Sequence, residues 1–205
     1  MGREIPDSRK PVIAAFDFDG TITKKDSLLW YIRHAVPMTS LLSGVIRMAP
    51  YLLLYKLRII PNYQAKEKLF KIFFGGMTLR DFTQLAEDFC SKIDQMIRTE
   101  AIDKIKWHQQ MGHEVIIISA SAENWILPWA EKAGITTVLA TKLEVKDGLI
   151  TGKFLSKNCY GQEKSNRILL ARPERDHYVL YAYGDSNGDK ELLAMADFPF
   201  YRKFV

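Results

Sequence analysis

Cysteine is scarce in this chain. Only Cys90 and Cys159 are present, far apart and in no metal-ligand spacing. That argues against a disulfide framework and a thiolate metal site, and fits two reduced thiols in a cytoplasmic protein. The four histidines (His34, His108, His113 and His177) show no HExxH or comparable pattern, so none is assigned as a ligand. The opening residues lack an apolar signal core. They begin Met-Gly, but Pro6 stands where an N-myristoylation signal wants Ser or Thr. No uninterrupted apolar run reaches the length of a membrane span. Leu41 to Ile60 is rich in Leu and Ile, yet Arg47, Pro50, Lys56 and Arg58 break it up, and a span needs about 20 residues. There is no internal repeat and no low-complexity tract.

What remains is ordinary globular composition, 47% hydrophobic and 26% charged. The formal net charge of +5 favours anionic partners such as phosphates or a lipid surface. Nucleic acid is not expected, because no nucleic-acid-binding motif accompanies the charge.

Val12 to Phe16 reads as a short strand, apolar on both faces, as in a parallel sheet covered by helices. From Ser27 to about Ile93 apolar residues recur at helical spacing, and Pro37, Pro50 and Pro61 are expected to punctuate several helices. Thr78 is placed to cap the helix that follows it. Strands and helices then alternate: a helix closed by Gly112, the strand "HEVIIISAS", and a helix ending at Gly134. A strand and a hairpin turning at Lys146-Asp147-Gly148 come next, then a helix stopped before Pro173 and the strand "HYVLYAYGD". This rhythm predicts an α/β fold, a doubly wound parallel sheet with an inserted all-helical cap. The expected boundaries are 1–25 and 94–205 for the core and 26–93 for the cap.

Three apolar strands end abruptly in polar residues: Asp17, Ser119 and Gly184-Asp185. In an open parallel sheet ligands bind beyond the carboxyl ends of the strands, so these ends should converge. Asp17 and Asp19 are two apart and face one side, with Phe18 facing the other. Two neighbouring carboxylates coexist if a cation neutralises them. Asp17, Asp19, Asp185 and Asp189 offer the oxygen-rich surroundings a hard cation such as Mg2+ prefers. Gly20 and Thr21 begin a tight turn whose N–H groups can point at an anion.

The order "DFDGT" after a strand, a Ser ending a later strand, a lone Lys and then "GDSNGD" resembles the haloacid-dehalogenase-like (HAD) hydrolases, in particular the phosphoserine-phosphatase-like branch, subfamily IB. The resemblance covers almost the whole chain. It implies a Mg2+-dependent phosphomonoesterase working through a phospho-aspartate. Asp17 would be the nucleophile, already ionised at neutral pH. Asp19 would protonate the leaving oxygen and later take a proton from water. The ion would be held by the Asp17 carboxylate, the Asp19 carbonyl and Asp185, with Asp189 behind it orienting metal waters or Lys164. Ser119 and the Ala120 N–H would bind a phosphoryl oxygen, and Lys164 would offset charge, with Lys153 and Lys157 as alternatives.

For specificity, the resemblance implies an acidic reader of a substrate amine soon after the first motif, where Asp26 stands; a helix N-cap is an equal reading of Asp26. Near the expected cap Arg only lysines occur, Lys66 and Lys68, with Lys68 assigned to the substrate. The cap mixes basic residues with many Leu and aromatic residues. Such a surface suits peripheral contact with an anionic bilayer or a grip on a lipid phosphate. It resembles the phosphatidylglycerophosphatase C-like members, which implies a lipid phosphate as an alternative substrate; a cap with its own small core explains the same residues. From another class, a non-catalytic phosphate-sensing module also clusters aspartates at strand ends.

Overall fold

The computed structural model describes residues 10–204; the N-terminal reading above falls on residues outside this range. In chain order the elements are β1 (Val12–Phe16), α1 (Ser27–Ala35), α2 (Met38–Lys56), α3 (Asn62–Phe74), α4 (Leu79–Asp94), α5 (Thr99–Gln110), β2 (Glu114–Ala122) and α6 (Glu123–Lys132). They continue with β3 (Thr137–Thr141), β4 (Leu143–Lys146), β5 (Leu149–Phe154), α7 (Gln162–Ala171), β6 (Val179–Gly184), α8 (Lys190–Met195) and β7 (Phe198–Tyr201).

Five parallel strands form one sheet in the order β3-β2-β1-β6-β7, and β4 and β5 form a separate antiparallel hairpin. The strands are apolar on both faces because both faces are covered. Ile13 and Ala15 pack with Ile116, Ile168 and Leu192 on the α7–α8 side. Their neighbours Ala14 and Phe16 belong to the opposite cluster, which runs on without a break into the inserted helices. There Tyr31 of α1 stacks on Trp125 of α6 at 4.6 Å, and Trp125 Nε1 donates to Ser27 Oγ. The inserted helices therefore share one core with the sheet.

One expectation needs correction. Pro50 does not end a helix: α2 runs through it from Met38 to Lys56. The φ of proline is itself helical, so the cost is one missing N–H and crowding of the Ile46 carbonyl, which exposed Pro50 tolerates on the outer surface. The closing "DFPFY" forms edge strand β7, where Pro199 is admissible because an edge strand leaves one side unpaired. The other local signals behave as expected. Thr78 accepts from Asp81 N at 3.1 Å, and Gly112 and Gly134 close helices at positive φ.

The hairpin is stitched to the inserted helices rather than to the sheet. Thr78 bridges to Leu149, and Glu67 Oε1 accepts from Phe154 N. At Gly152 a Cβ would lie 2.4 Å from Lys71 Cα, so the strand and α3 approach at backbone distance.

Candidate active site

β1 lies between β2 and β6, so the carboxyl ends of all three open along one edge. Asp17 N donates to the Tyr183 carbonyl at 2.9 Å, which extends the ladder into the site. Phe18 then turns into the core against Trp129. The chain doubles back tightly at Gly20, whose φ is +82°. A Cβ there would sit 2.3 Å from Asp185 Oδ2, so only glycine lets the turn reach the last strand's carboxylate.

Around that turn the Asp17, Asp185 and Asp189 carboxylates each place an oxygen within 4.8 Å of the others. Lys164, on the first turn of α7 and 2% exposed, donates to Asp17 Oδ1 at 2.6 Å and to Asp189 Oδ1 at 2.5 Å. Asp189 is held in turn by the Ser186 N–H and hydroxyl and by the Asp185 N–H. Lys153 and Lys157, the alternatives to Lys164, are exposed.

The Asp19 carboxylate is not part of this cluster. Its Oδ1 accepts from Ser27 N at 2.6 Å and its Oδ2 from Ser121 Oγ at 2.5 Å. The two aspartates of "DFDGT" thus have different surroundings: Asp17 sits against a lysine, Asp19 against neutral donors. β2 makes this arrangement by a register shift between Ser119 and Ala122, a bulge at the strand end that re-aims its side chains. Buried Ser119 Oγ accepts from Ser121 N, which steadies the bulge.

The electrostatics follow from burial. It pushes Asp17 well above the usual carboxylate range; Lys164 pulls it back, while Asp189 and Asp19 add to the rise. Asp19 is also raised, by burial and then by the charge of Asp26, against the hydrogen bonds from Ser121 and Ser27. Asp185 is raised chiefly by burial. For Asp189 burial is outweighed by Lys164 and Ser186, and its carboxyl is lowered. Lys164 pays a desolvation cost too, but its two carboxylate partners hold it raised and charged. Oxygen donors that burial pushes toward neutrality leave the site short of positive charge. A hard divalent cation fits that deficit and that donor set.

One of the specificity residues sits differently from the sequence reading. Lys68 does not face the site: it is exposed and its Nζ lies 5.5 Å from the centre of the Tyr51 ring. Residues two apart on a helix point about 200° apart, so when one lysine of α3 meets the core the other cannot. Lys66 is the one that does, with Nζ 3.1 Å from the Ala120 carbonyl. Burial lowers its pKa, and the charges of Asp19 and Asp26 oppose that fall. Asp26 Oδ1 caps α1 by accepting from Leu28 N and Leu29 N, so the N-cap reading holds, while its charge still acts on Asp19 and Lys66. Ser121 and Ser27 were missed. For Ser121 a signal existed, since strand alternation places it on the side of Ser119; for Ser27 there was none. A cavity of about 670 Å³ lies between Asn62 and Tyr63 of α3 and Leu155, Asn158 and Tyr160 of the β5–α7 connection; neither the acidic cluster nor Lys66 and Lys164 line it.

Fold and site together define a capped, doubly wound α/β protein whose acidic groups and one buried lysine meet at the strand ends. Residues 14–194 match the family model for haloacid dehalogenase-like hydrolases, and the chain belongs to that family. It is 32% identical over 200 residues to Protein CicA of Caulobacter vibrioides, covering 95% of this chain and 87% of that one. Among solved structures it is similar to a protein of unknown function from Bordetella pertussis Tohama I, with a TM-score of 0.79, 21% identity, and 90% and 86% of the two chains covered. It is also similar to a phosphoserine phosphatase solved as a phospho-aspartyl intermediate analogue, with a TM-score of 0.62, 20% identity, and 92% and 85% covered.

Proposed function

We propose that this chain is a cytoplasmic, Mg2+-dependent phosphatase that hydrolyses a small phosphomonoester through a phospho-aspartate on Asp17. The supporting observation is the division of labour between the two aspartates: Asp17 bonded to Lys164 beside Asp185, Asp19 held apart by Ser121 and Ser27. Asp17, Asp185 and the Asp19 carbonyl would hold the ion, which when bound supplies the charge that keeps Asp17 ionised and offsets the phosphoryl group. An Asp17 oxygen attacks phosphorus and the bond to the leaving oxygen breaks. Asp19 gives that oxygen its proton. Asp19 is suited to carrying one because burial raises its pKa. Water then attacks the phosphoryl group, Asp19 takes its proton, and phosphate leaves with Asp17 restored. Lys164 offsets charge on Asp17 throughout, and Ser119 with the Ala120 N–H binds a phosphoryl oxygen. The inserted helices, residues 26–93, act as the cap together with hairpin β4–β5. In this reading Lys66 replaces Lys68 as the cap cation facing the substrate, with the charge of Asp26 acting on it. This suits either a phosphoserine-like or a lipid-phosphate leaving group.

Hydrolysis of p-nitrophenyl phosphate with Mg2+, against Asp17→Asn, tests the chemistry. Turnover by the native chain and none by the variant is expected. Phosphate binding without turnover by the native chain would indicate a phosphate-sensing module instead. A screen of phosphoamino acids, sugar phosphates, nucleotides and phosphatidylglycerophosphate then assigns the substrate.

A further inference from the structure

Helix α2 carries more exposed apolar surface than a helix packed on a water-soluble domain needs. One narrow stripe, Leu41, Gly44, Met48 and Tyr51, faces inward. The helix lies tight on α3, since a Cβ at Gly44 would meet the Phe73 ring at 2.2 Å. The opposite face carries Leu42, Ile46, Ala49 and Leu53, at the 4-3-4 spacing of a single helical stripe. Leu42 is 65% exposed, Ile46 66% and Leu53 57%. Leu57 and Ile59, also exposed, continue the apolar surface into the turn before α3.

By length and composition α2 is able to cross a membrane, with 19 residues and a mean hydropathy of 1.2. The packing argues against a span. Gly44 meets Phe73 and Tyr51 meets Lys68, so α3 runs back antiparallel along α2. α3 brings Lys66, Glu67, Lys68 and Lys71 with it, and both flanking helices are rooted in the common core through Tyr31, Phe70 and Phe74. A crossing α2 would drag these charges into hydrocarbon or tear the core apart.

Charge selects the occupant of the exposed face. From Ser27 to Lys66 the chain has no Asp or Glu, while Arg33, Arg47, Lys56 and Arg58 are exposed on the inserted helices that carry the stripe and on the turn after α2. A second copy pairing through this face would set cation against cation. An anionic bilayer surface satisfies both halves of the pattern: the stripe enters the headgroup boundary and the basic residues meet lipid phosphates. We propose that α2 is an in-plane docking helix for anionic membrane, carried on α3, the helix whose Lys66 bonds the Ala120 carbonyl. This inference does not depend on the phosphatase chemistry.

The test is co-sedimentation of the full chain with phosphatidylcholine vesicles, with and without about 30% phosphatidylserine. At least about tenfold stronger binding to the anionic vesicles is expected, lost in about 0.5 M salt. Ile46→Glu with Leu53→Glu should lower binding at least about tenfold, because each charge must enter the interface. These residues are exposed and outside the site, so p-nitrophenyl phosphate turnover should stay at the native level, and circular dichroism checks the fold. Should that pair misfold, Arg47→Gln with Arg58→Gln tests the electrostatic half alone and should weaken anionic binding only. The proposal is overturned by no vesicle binding, by equal binding to both compositions, or by unchanged binding in these variants. It is also overturned by a dimer in solution that the α2 substitutions dissolve.

Discussion

Replacing Lys164 by Met keeps the side chain's length and removes its charge from a place with almost no water. The ammonium is the common partner of Asp17 and Asp189, at 2.6 and 2.5 Å, and side-chain exposure is 2% for Lys164, 8% for Asp17 and 0% for Asp189. Removing one member of a buried ionic cluster leaves uncompensated charge behind, a loss of roughly 3–5 kcal/mol. Unfolding entropy near 60 °C is about 2.1 cal/mol/K per residue, or about 0.43 kcal/mol/K for a chain of 205 residues. The expected fall in Tm is therefore about 7–12 °C. Thermal circular dichroism in EDTA at neutral pH reads it without interference from a bound cation. The same reasoning requires non-additivity: once Asp189→Asn has removed one stranded carboxylate, Lys164→Met should cost at least about 1 kcal/mol less than in the native background. A fall in Tm below about 2 °C, or additive losses in the double variant, would refute the account of this cluster.

Two further expectations concern single groups. His108 is fully buried, with Nε2 3.0 Å from the Tyr183 hydroxyl and Nδ1 2.7 Å from His113 Nδ1. Burial first, then His113 and Lys104, push its pKa down to about 3. The unfolded chain takes that proton near 6.5, so its stabilising contribution is complete above about pH 6.5 and is lost as the pH falls toward 3, by up to about 1.4 kcal/mol per unit. Urea midpoints between about pH 7.5 and 4.5 should fall more steeply for the native chain than for His108→Gln, and equal slopes count against the assignment. Ser121→Ala removes a hydrogen bond to the Asp19 carboxyl, an interaction class of about 1.5–3 kcal/mol, so kcat should drop about tenfold or more with KM little changed. An unaltered kcat would show that Ser121 does not position the acid.

The polar strand ends that meet at one edge were legible because each motif lies within a few residues and marks a strand end. An apolar run that stops at Asp17, Ser119 or Asp185 states both its element and its exit, and the parallel order brings the exits together. Asp17 and Lys164 are 147 residues apart, so their contact could be inferred only from motif order, whereas Ser121 and Asp19, 102 apart, had no such guide. Pro50 misled because a proline reads as a helix stop whenever its neighbours are unknown. Exposed on the outer surface of α2, it costs one hydrogen bond and no more than a local adjustment.

Local chemistry in the chain determined the alternation of strands and helices, the caps, the polar strand ends and the excess of basic residues in the inserted helices. Tertiary packing alone decided which lysine of α3 overlooks the site, because helix phase is set by which face finds the core. Packing likewise decided that Asp19 would be separated from Asp17, since the separation depends on a bulge in β2 and on the cap of α1. It also decided that one face of α2 would remain outside: α3 and the shared aromatic core cover a single stripe of a helix apolar around most of its circumference. Hydrophobicity is written residue by residue, but the surface left over after packing is a property of the whole fold.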